Sequence, residues 1–391
     1  MKRIYLDNSA TSFPKPDQVT EAMVDFAQNC GASAGRGAYQ QARDCGDLIQ
    51  NCRQRIAELI NAESPDRIVF AMNCSEALNT AIRGVLNTAP AGSHAIATAL
   101  EHNSVLRPLN ALADQGGLIP EFIKCDSQTG LVNPVDVEAA IRPETKMIAC
   151  IHVSNVTGTK QPVEEICAIA KKHNILSVVD AAQSIGHVEV DVQKIGADFV
   201  AFPGHKGLLA PLGTAVLYIK PGVEKLCKTM KEGGTGTISE VPTQPTTMPD
   251  KYEIGSHNAI GIAGFVEGVD WVISRGVDYL RRHDQALCTA FFDELGDHAD
   301  VTVYGPRDLE HRTGVFSVNI KGLTPHQLAE QLESLFGICT RPGIHCAPLA
   351  HETIGTHPVG TCRLSFGAYT TRDEVVYAAK ALKLIADRVN A

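Results

Sequence analysis

The chain has 391 residues, 44% of them hydrophobic and 20% charged, with a formal net charge of −9. Such a composition is ordinary for a soluble globular enzyme, and the length suffices for two domains or one large domain with a smaller appendage. The negative balance, with no long Lys/Arg run, argues against a nucleic-acid or anionic-membrane surface, and no apolar stretch is long enough to span a bilayer. Met1-Lys2-Arg3 is followed by Tyr5-Leu6-Asp7-Asn8 rather than by an apolar core, so no signal peptide is expected and the expected setting is cytoplasmic. The twelve cysteines run from Cys30 to Cys362 without a Cys-x-x-Cys pair. That pattern fits a reduced compartment in which most thiols act as small buried hydrophobes.

In chain order, 67–71 reads as a short strand and 75–86 as an amphipathic helix. Strands are expected at 94–100, 147–153, 175–180, 199–203 and 214–220, with helices at 104–115 and 162–173. Alternation of apolar strands with helices predicts a mainly parallel sheet covered on both faces. The last three strands leave no room for full helices between them, so one antiparallel pairing is expected. Residues 232–256 are rich in Gly, Thr and Pro and read as a loop or hinge. Long helices follow at 258–275 and 277–295, then a smaller α/β unit with strands near 301–304, 315–320 and 362–365.

In such sheets ligands bind at the carboxyl ends of the strands. Asn73-Cys74-Ser75, Glu101-His102, Ser154-Asn155, Asp180 and Lys206 all fall there. A lysine on a Gly-flanked turn after one strand, with an aspartate ending the strand before it, suggests a Schiff-base lysine and the counter-carboxylate of a pyridoxal phosphate (PLP) ring. Taken alone, Lys206 is more commonly a solvated loop residue. Asn73-Cys74-Ser75-Glu76 joins a strand to a helix, as a phosphate cradle does, although a simple N-cap is the commoner reading of such a junction on its own. His102 fits either a strand cap or an imidazole stacked on a planar cofactor. Gly234-x-Gly236 does not lie between a strand and a helix, and no Gly-Lys-Ser/Thr is present, so dinucleotide and P-loop readings fail.

The Gly/Pro-rich stretch 341–348 reads as a mobile, polar loop placing His345 beside Cys346. Those surroundings lower a thiol pKa and make a nucleophile. A buried inert thiol is the plain alternative, and a Gly/Pro loop is a poor place for one. His351, His357 and Cys362 lie nearby, but their spacing matches no zinc pattern, so no metal is expected.

Together these residues resemble the cysteine desulfurases of the class-V aminotransferase superfamily, within the fold-type I PLP enzymes. The resemblance runs from Tyr5-Leu6-Asp7-Asn8 through Asn73-Cys74-Ser75-Glu76, Glu101-His102-Asn103, His152-Val153-Ser154-Asn155, Asp180-Ala181-Ala182-Gln183 and His205-Lys206 to Arg341, His345-Cys346 and Cys362-Arg363. The compact Cys346 loop is more similar to the SufS/selenocysteine-lyase branch than to the branch with a long disordered loop. The resemblance implies a large PLP-binding domain with a mainly parallel sheet at 15–255. It also implies a smaller α/β domain at 256–391, joined by 1–14, which carries the cysteine loop. It implies that Lys206 forms the Schiff base, that Asp180 pairs with the ring nitrogen, that Gln183 meets the phenolic oxygen and that His102 stacks on the ring and assists proton transfer. Cys74, Ser75 and His205 would hold the phosphate. Ser256 would reach the phosphate of a partner subunit, which implies a homodimer. Asn155, Arg341 and Arg363 would bind the substrate, and Cys346 would be the sulfur nucleophile.

The implied reaction converts L-cysteine to L-alanine, leaving a persulfide on Cys346 for an acceptor protein. A cysteine or cystine C–S lyase, a selenocysteine lyase and a non-catalytic dimeric scaffold are the alternatives. Two features depart from the family pattern. Ser75 and Ser256 stand where Thr is usual, and Pro203 replaces a serine, costing the phosphate a donor worth about 1–3 kcal/mol unless water substitutes.

Overall fold

The computed structural model describes residues 3–35 and 37–390; Met1, Lys2, Arg36 and Ala391 lie outside it, including two residues of the basic start and the outer ends of the expected 1–14 and 256–391 units. The main sheet contains β1 (Ile68–Ala71), β2 (Ser93–Thr98), β3 (Leu118–Ile123), β4 (Thr145–Ile151), β5 (Leu176–Asp180), β6 (Phe199–Pro203) and β7 (Ala215–Ile219). Their spatial order is β1-β7-β6-β5-β4-β2-β3. β2 to β6 are mutually parallel, whereas β7 opposes both of its neighbours, β6 and β1. The expected antiparallel pairing is therefore present, and a second arises because β1 docks against the same reversed strand.

Period-2 alternation divides the strands between two apolar cores. Ile68, Ile96, Ile148, Val179, Val200 and Val216 face one; Val69, Ala95, Met147, Val178, Phe199 and Leu217 face the other. Helices Gln40–Leu59, Val163–Lys172 and Ala259–Arg275 fill the first core, and Cys74–Leu86 and Asn103–Asp114 the second. Burial on both faces is why these strands read as continuous apolar runs. β3, at the sheet edge, was not apparent from sequence. It carries Pro120, which only an edge strand accommodates readily, because proline cannot donate to a ladder.

A second, antiparallel sheet is made of β8 (Val301–Tyr304), β9 (Val315–Ile320), β10 (Arg341–Gly343) and β11 (Thr361–Ser365), in the order β10-β11-β9-β8. Here the expectation of a loop throughout 341–348 is corrected: Arg341–Gly343 pairs with β11, and the edge position accommodates Pro342. Phe291, Phe316 and Phe366 centre this sheet's own core, with ring centroids 4.4 Å apart for the first pair and 5.2 Å for the second. Ile4 and Leu6 join that core, and Ile4–Tyr5 pairs with Ile338–Cys339. Helix Ala259–Arg275 and Leu280 bury apolar residues in the main core, and Leu287 lies in the second, so the chain passes between the two cores within helix Val277–Leu295. Residues 232–256 contain no helix or strand, and a buried Arg53–Glu253 ion pair ties the end of this segment to the main domain.

Candidate active site

The carboxyl ends of β1, β2, β4, β5 and β6 all open on one side of the sheet. A cavity of about 240 Å³ lies there, lined by Cys74, Ser75, His102, Asn155, Asp180, Gln183, His205, Lys206 and Arg341. Nine of the expected site residues thus converge on one space. Pro203 is on the same wall.

Each is positioned by local chemistry. Asn73 Oδ1 accepts the Glu76 N–H at 3.0 Å and caps helix Cys74–Leu86, aiming the positive end of its dipole at the cavity. Asp180 ends β5 and is buried; its Oδ1 accepts the Ala182 N–H at 2.9 Å and the Cys74 thiol at 3.8 Å. Burial pushes the Asp180 carboxyl above the usual carboxylate range, opposed by the Ala182 N–H and the nearby Lys206 charge. Burial pushes the Lys206 ammonium down, opposed first by Asp180. The amine and carboxylate therefore support each other's charged forms in a site that penalises either alone.

The turn carrying Lys206 is held from behind. Gly207 has no room for a side chain, because a Cβ there would sit 2.0 Å from the Ile185 carbonyl. The His205 carbonyl accepts from Ser12 N (3.0 Å), Thr11 Oγ1 (3.0 Å) and Ser12 Oγ (3.1 Å), with Lys15 Nζ at 3.4 Å. Gln183 Nε2 donates to Ser9 O at 3.0 Å. The N-terminal segment is therefore a wall of the site, which sequence reasoning did not assign to it.

His102 caps helix Asn103–Asp114: its Nδ1 accepts the Ser104 N–H at 3.1 Å. That bond assigns the proton of the neutral ring to Nε2. Burial and the charges of Lys206, Arg341, Arg107 and Arg363 bring its pKa down to about 4.

Arg363 on β11 is buried; Nη2 bonds Asp7 Oδ1 at 2.8 Å, and Nη1 donates to Asn155 O at 3.2 Å. Asp7 belongs to the opening motif but had no role assigned. Burial of Arg363, which favours a carboxylate partner, is visible only in the fold, so sequence carried no signal for the pairing.

The Cys346 loop departs from expectation. His345 is buried, and burial brings its imidazole down to about 2, so it is neutral and lends Cys346 no positive charge. The cation beside the sulfur is Arg341, whose Nη2 donates to Cys346 Sγ at 3.6 Å. Nor is the loop loosely held: Asn155 Nδ2 donates to His345 O and Asn103 N to Cys346 O, each at 2.7 Å. His345 Nε2 lies 3.1 Å from Thr361 Oγ1. Consecutive left-handed residues, His345 at φ 52° and Cys346 at φ 59°, form the turn. Gly and Pro content predicts a turn; it does not predict exposure.

Ser256 is exposed and lies apart from this cavity, on the wall of a separate one with Met72 and Tyr252. Among the described residues, no three His, Cys, Asp or Glu side chains group as a metal site needs, and no helix is long and apolar enough to cross a membrane.

Five histidines share one consequence. Burial brings His102, His205 and His351 down to about 4, His152 to about 3 and His345 to about 2. Unfolded histidine takes a proton near pH 6.5, whereas these folded ones do not, so folding stability falls as pH drops from about 6.5 toward 4. The buried His152, His345 and His351 carry most of the effect, and solvent screens the half-exposed pair. The buried Glu101 carboxyl, pushed up to about 8, works the other way, because it takes its proton more readily folded than unfolded. With Glu101→Gln removing that opposing group, the urea midpoint should fall clearly between pH 7 and pH 5; an unchanged midpoint in that variant would refute neutral burial.

The family model for aminotransferase class-V matches residues 4–377. A probable cysteine desulfurase of Methanothermobacter thermautotrophicus is 35% identical over 387 residues, covering 98% of this chain and 94% of that one. A cysteine desulfurase of Salmonella agona is 33% identical over 379 residues, covering 95% and 90%. The apo structure of a cysteine desulfurase from Thermococcus onnurineus NA1 superposes with a TM-score of 0.92 at 35% identity, covering 99% of this chain and 95% of that one. With its sheet, its converging strand ends and these near-full-length matches, the chain belongs to the class-V aminotransferases, in the cysteine desulfurase family.

Proposed function

We propose that this chain is a PLP-dependent cysteine desulfurase that converts L-cysteine to L-alanine and passes the sulfur through Cys346 to an acceptor. The carrying observation is Arg341, which lines the Lys206–Asp180 cavity and donates to the Cys346 sulfur at 3.6 Å. A thiol is thus held at the margin of a cavity built from an amine, a buried carboxylate and a helix N-terminus.

The residues fit PLP. Asp180 suits the ring nitrogen, the capped helix start with Cys74, Ser75 and His205 suits the phosphate, and His102 suits the ring face. His205 Nδ1 and Asn155 Oδ1 are buried polar atoms without a protein partner, on residues of the cavity wall. Gln183 keeps one amide N–H beyond its bond to Ser9 for the phenolic oxygen. When bound, PLP supplies an electron sink for charge left at the substrate Cα.

Arg363 and Arg341 bind the substrate carboxylate with Asn155, because a planar guanidinium matches its two oxygens. Lys206 Nζ takes the Cα proton, and His102 presents its Nε2–H beside it. The Cys346 thiolate attacks the substrate sulfur. The S–S bond forms as the Cβ–S bond breaks, and the carbon keeps the electron pair and takes a proton. Alanine and a Cys346 persulfide result.

Ser256, exposed and remote from its own chain's cavity, supports a homodimer in which it serves the partner's phosphate. The two apolar cores support a large cofactor domain and a smaller one carrying the cysteine loop, with the crossing between the cores inside helix Val277–Leu295. Twelve free thiols suit a reducing cytoplasm. Product analysis with L-cysteine tests the reading. Alanine should predominate over pyruvate; pyruvate in excess would identify a C–S lyase instead.

A further inference from the structure

Ser104 has no part in the roles above, yet it lies between two residues that do. Its Oγ is 2.6 Å from Ser75 Oγ and 2.8 Å from His102 Nδ1, while its own backbone N–H also reaches that Nδ1. Ser75 stands in the first turn of helix Cys74–Leu86, the end that favours an anion.

A hydroxyl has one proton to donate. Ser104 can direct it to His102 or to Ser75, but not to both. If Ser75 turns its proton inward, donation runs Ser75 to Ser104 to His102 Nδ1. Phosphate oxygens at Ser75 can only accept, so Ser75 turns its proton outward to them. Ser75 Oγ is then an acceptor, and Ser104 turns its proton to Ser75. His102 loses one donor at Nδ1 and meets a hydroxyl lone pair in its place.

We propose that Ser104 is a positioning residue whose hydroxyl couples occupancy of the phosphate cradle to how His102 holds its proton. With the cradle filled, His102 becomes the better base; with it empty, the ring is held neutral with its proton on Nε2. The proposal rests on the reading of Ser75 as part of that cradle. The charged groups acting on His102 are Lys206 after β6, Arg341 on β10, Arg363 on β11 and Arg107 on its own helix. All are cations, and none depends on the Ser104 hydroxyl.

The phosphate's own charge also favours protonation of His102 through space, so the test must separate the two effects. The ring nitrogens of His102 are followed by ¹⁵N NMR titration in wild type, Ser104→Ala and Ser104→Thr. Each is measured as PLP-loaded protein and, after cofactor removal, with and without inorganic phosphate. Phosphate should raise the His102 midpoint in all three, and by roughly half a unit more in wild type and Ser104→Thr than in Ser104→Ala. The PLP-loaded proteins should show the same ranking. Equal shifts in all three would overturn the coupling while leaving the cradle in place. Failure of phosphate to perturb the Ser75 amide would overturn the cradle itself, and the coupling with it. The pH profile of kcat supplies a second reading: its acidic limb should move in Ser104→Ala and recover in Ser104→Thr, with KM little changed.

Discussion

Replacing Lys206 by alanine should lower desulfurase turnover by roughly 10³-fold or more, because it removes the group that takes the Cα proton. The fold should tolerate the change. Lys206 is half-buried on the cavity wall, so its loss breaks no core, and Asp180, whose carboxyl burial already pushes up, can answer the lost charge by taking a proton. Asp180 loses a supporting charge but keeps the Ala182 N–H. The urea midpoint should therefore stay close to wild type while activity disappears. Lys206→Arg separates charge from chemistry: a guanidinium keeps the positive charge but cannot lose its proton near neutral pH. It should be as inactive as the alanine variant. Retention of more than about a tenth of wild-type activity in either variant would place the proton transfer on another group.

Cys346→Ala should abolish alanine formation and persulfide transfer, again by roughly 10³-fold or more, while PLP loading and L-cysteine binding remain intact. The side chain is outside the residues lining the cavity, and the loop is held by main-chain and neighbouring contacts that a methyl group leaves in place. The left-handed turn at 345–346 is as demanding of alanine as of cysteine, so the substitution adds no new backbone strain. Arg341 loses only its sulfur contact. Separate binding and product measurements make the result decisive. Full alanine yield from the variant would remove Cys346 from the reaction. Pyruvate formation indifferent to the variant would point to elimination without a protein thiol.

The readability of this protein divides along a physical line. The strands of the main sheet, Asp180 at the end of β5 and Lys206 on the turn after β6 were legible because local rules govern them. Apolar runs form buried strands, Gly-flanked turns end them, and parallel strands bring their carboxyl ends to one side. That one pairing among β5, β6 and β7 is antiparallel followed from connections too short for full helices; that it is β6–β7 and not β5–β6 did not. β3 and β10 were not apparent because Pro120 and Pro342 argue against strands until an edge position is known. The Cys346 loop was misjudged for a related reason: composition reports on turns, but burial of His345 depends on what packs over it.

Sequence alone determined the fold class, the strand-end location of the cavity and the presence of Lys206 and Asp180 on its wall. Tertiary structure decided which groups meet. Arg363 meets Asp7 across 356 positions, Asn155 meets the His345 carbonyl across 190, and Ser75 meets Ser104 across 29. Such contacts leave no periodicity in the chain. They arise only when separate elements pack, and at Arg363 and Asn155 burial adds the demand that a polar group find a partner where the fold brings one within reach.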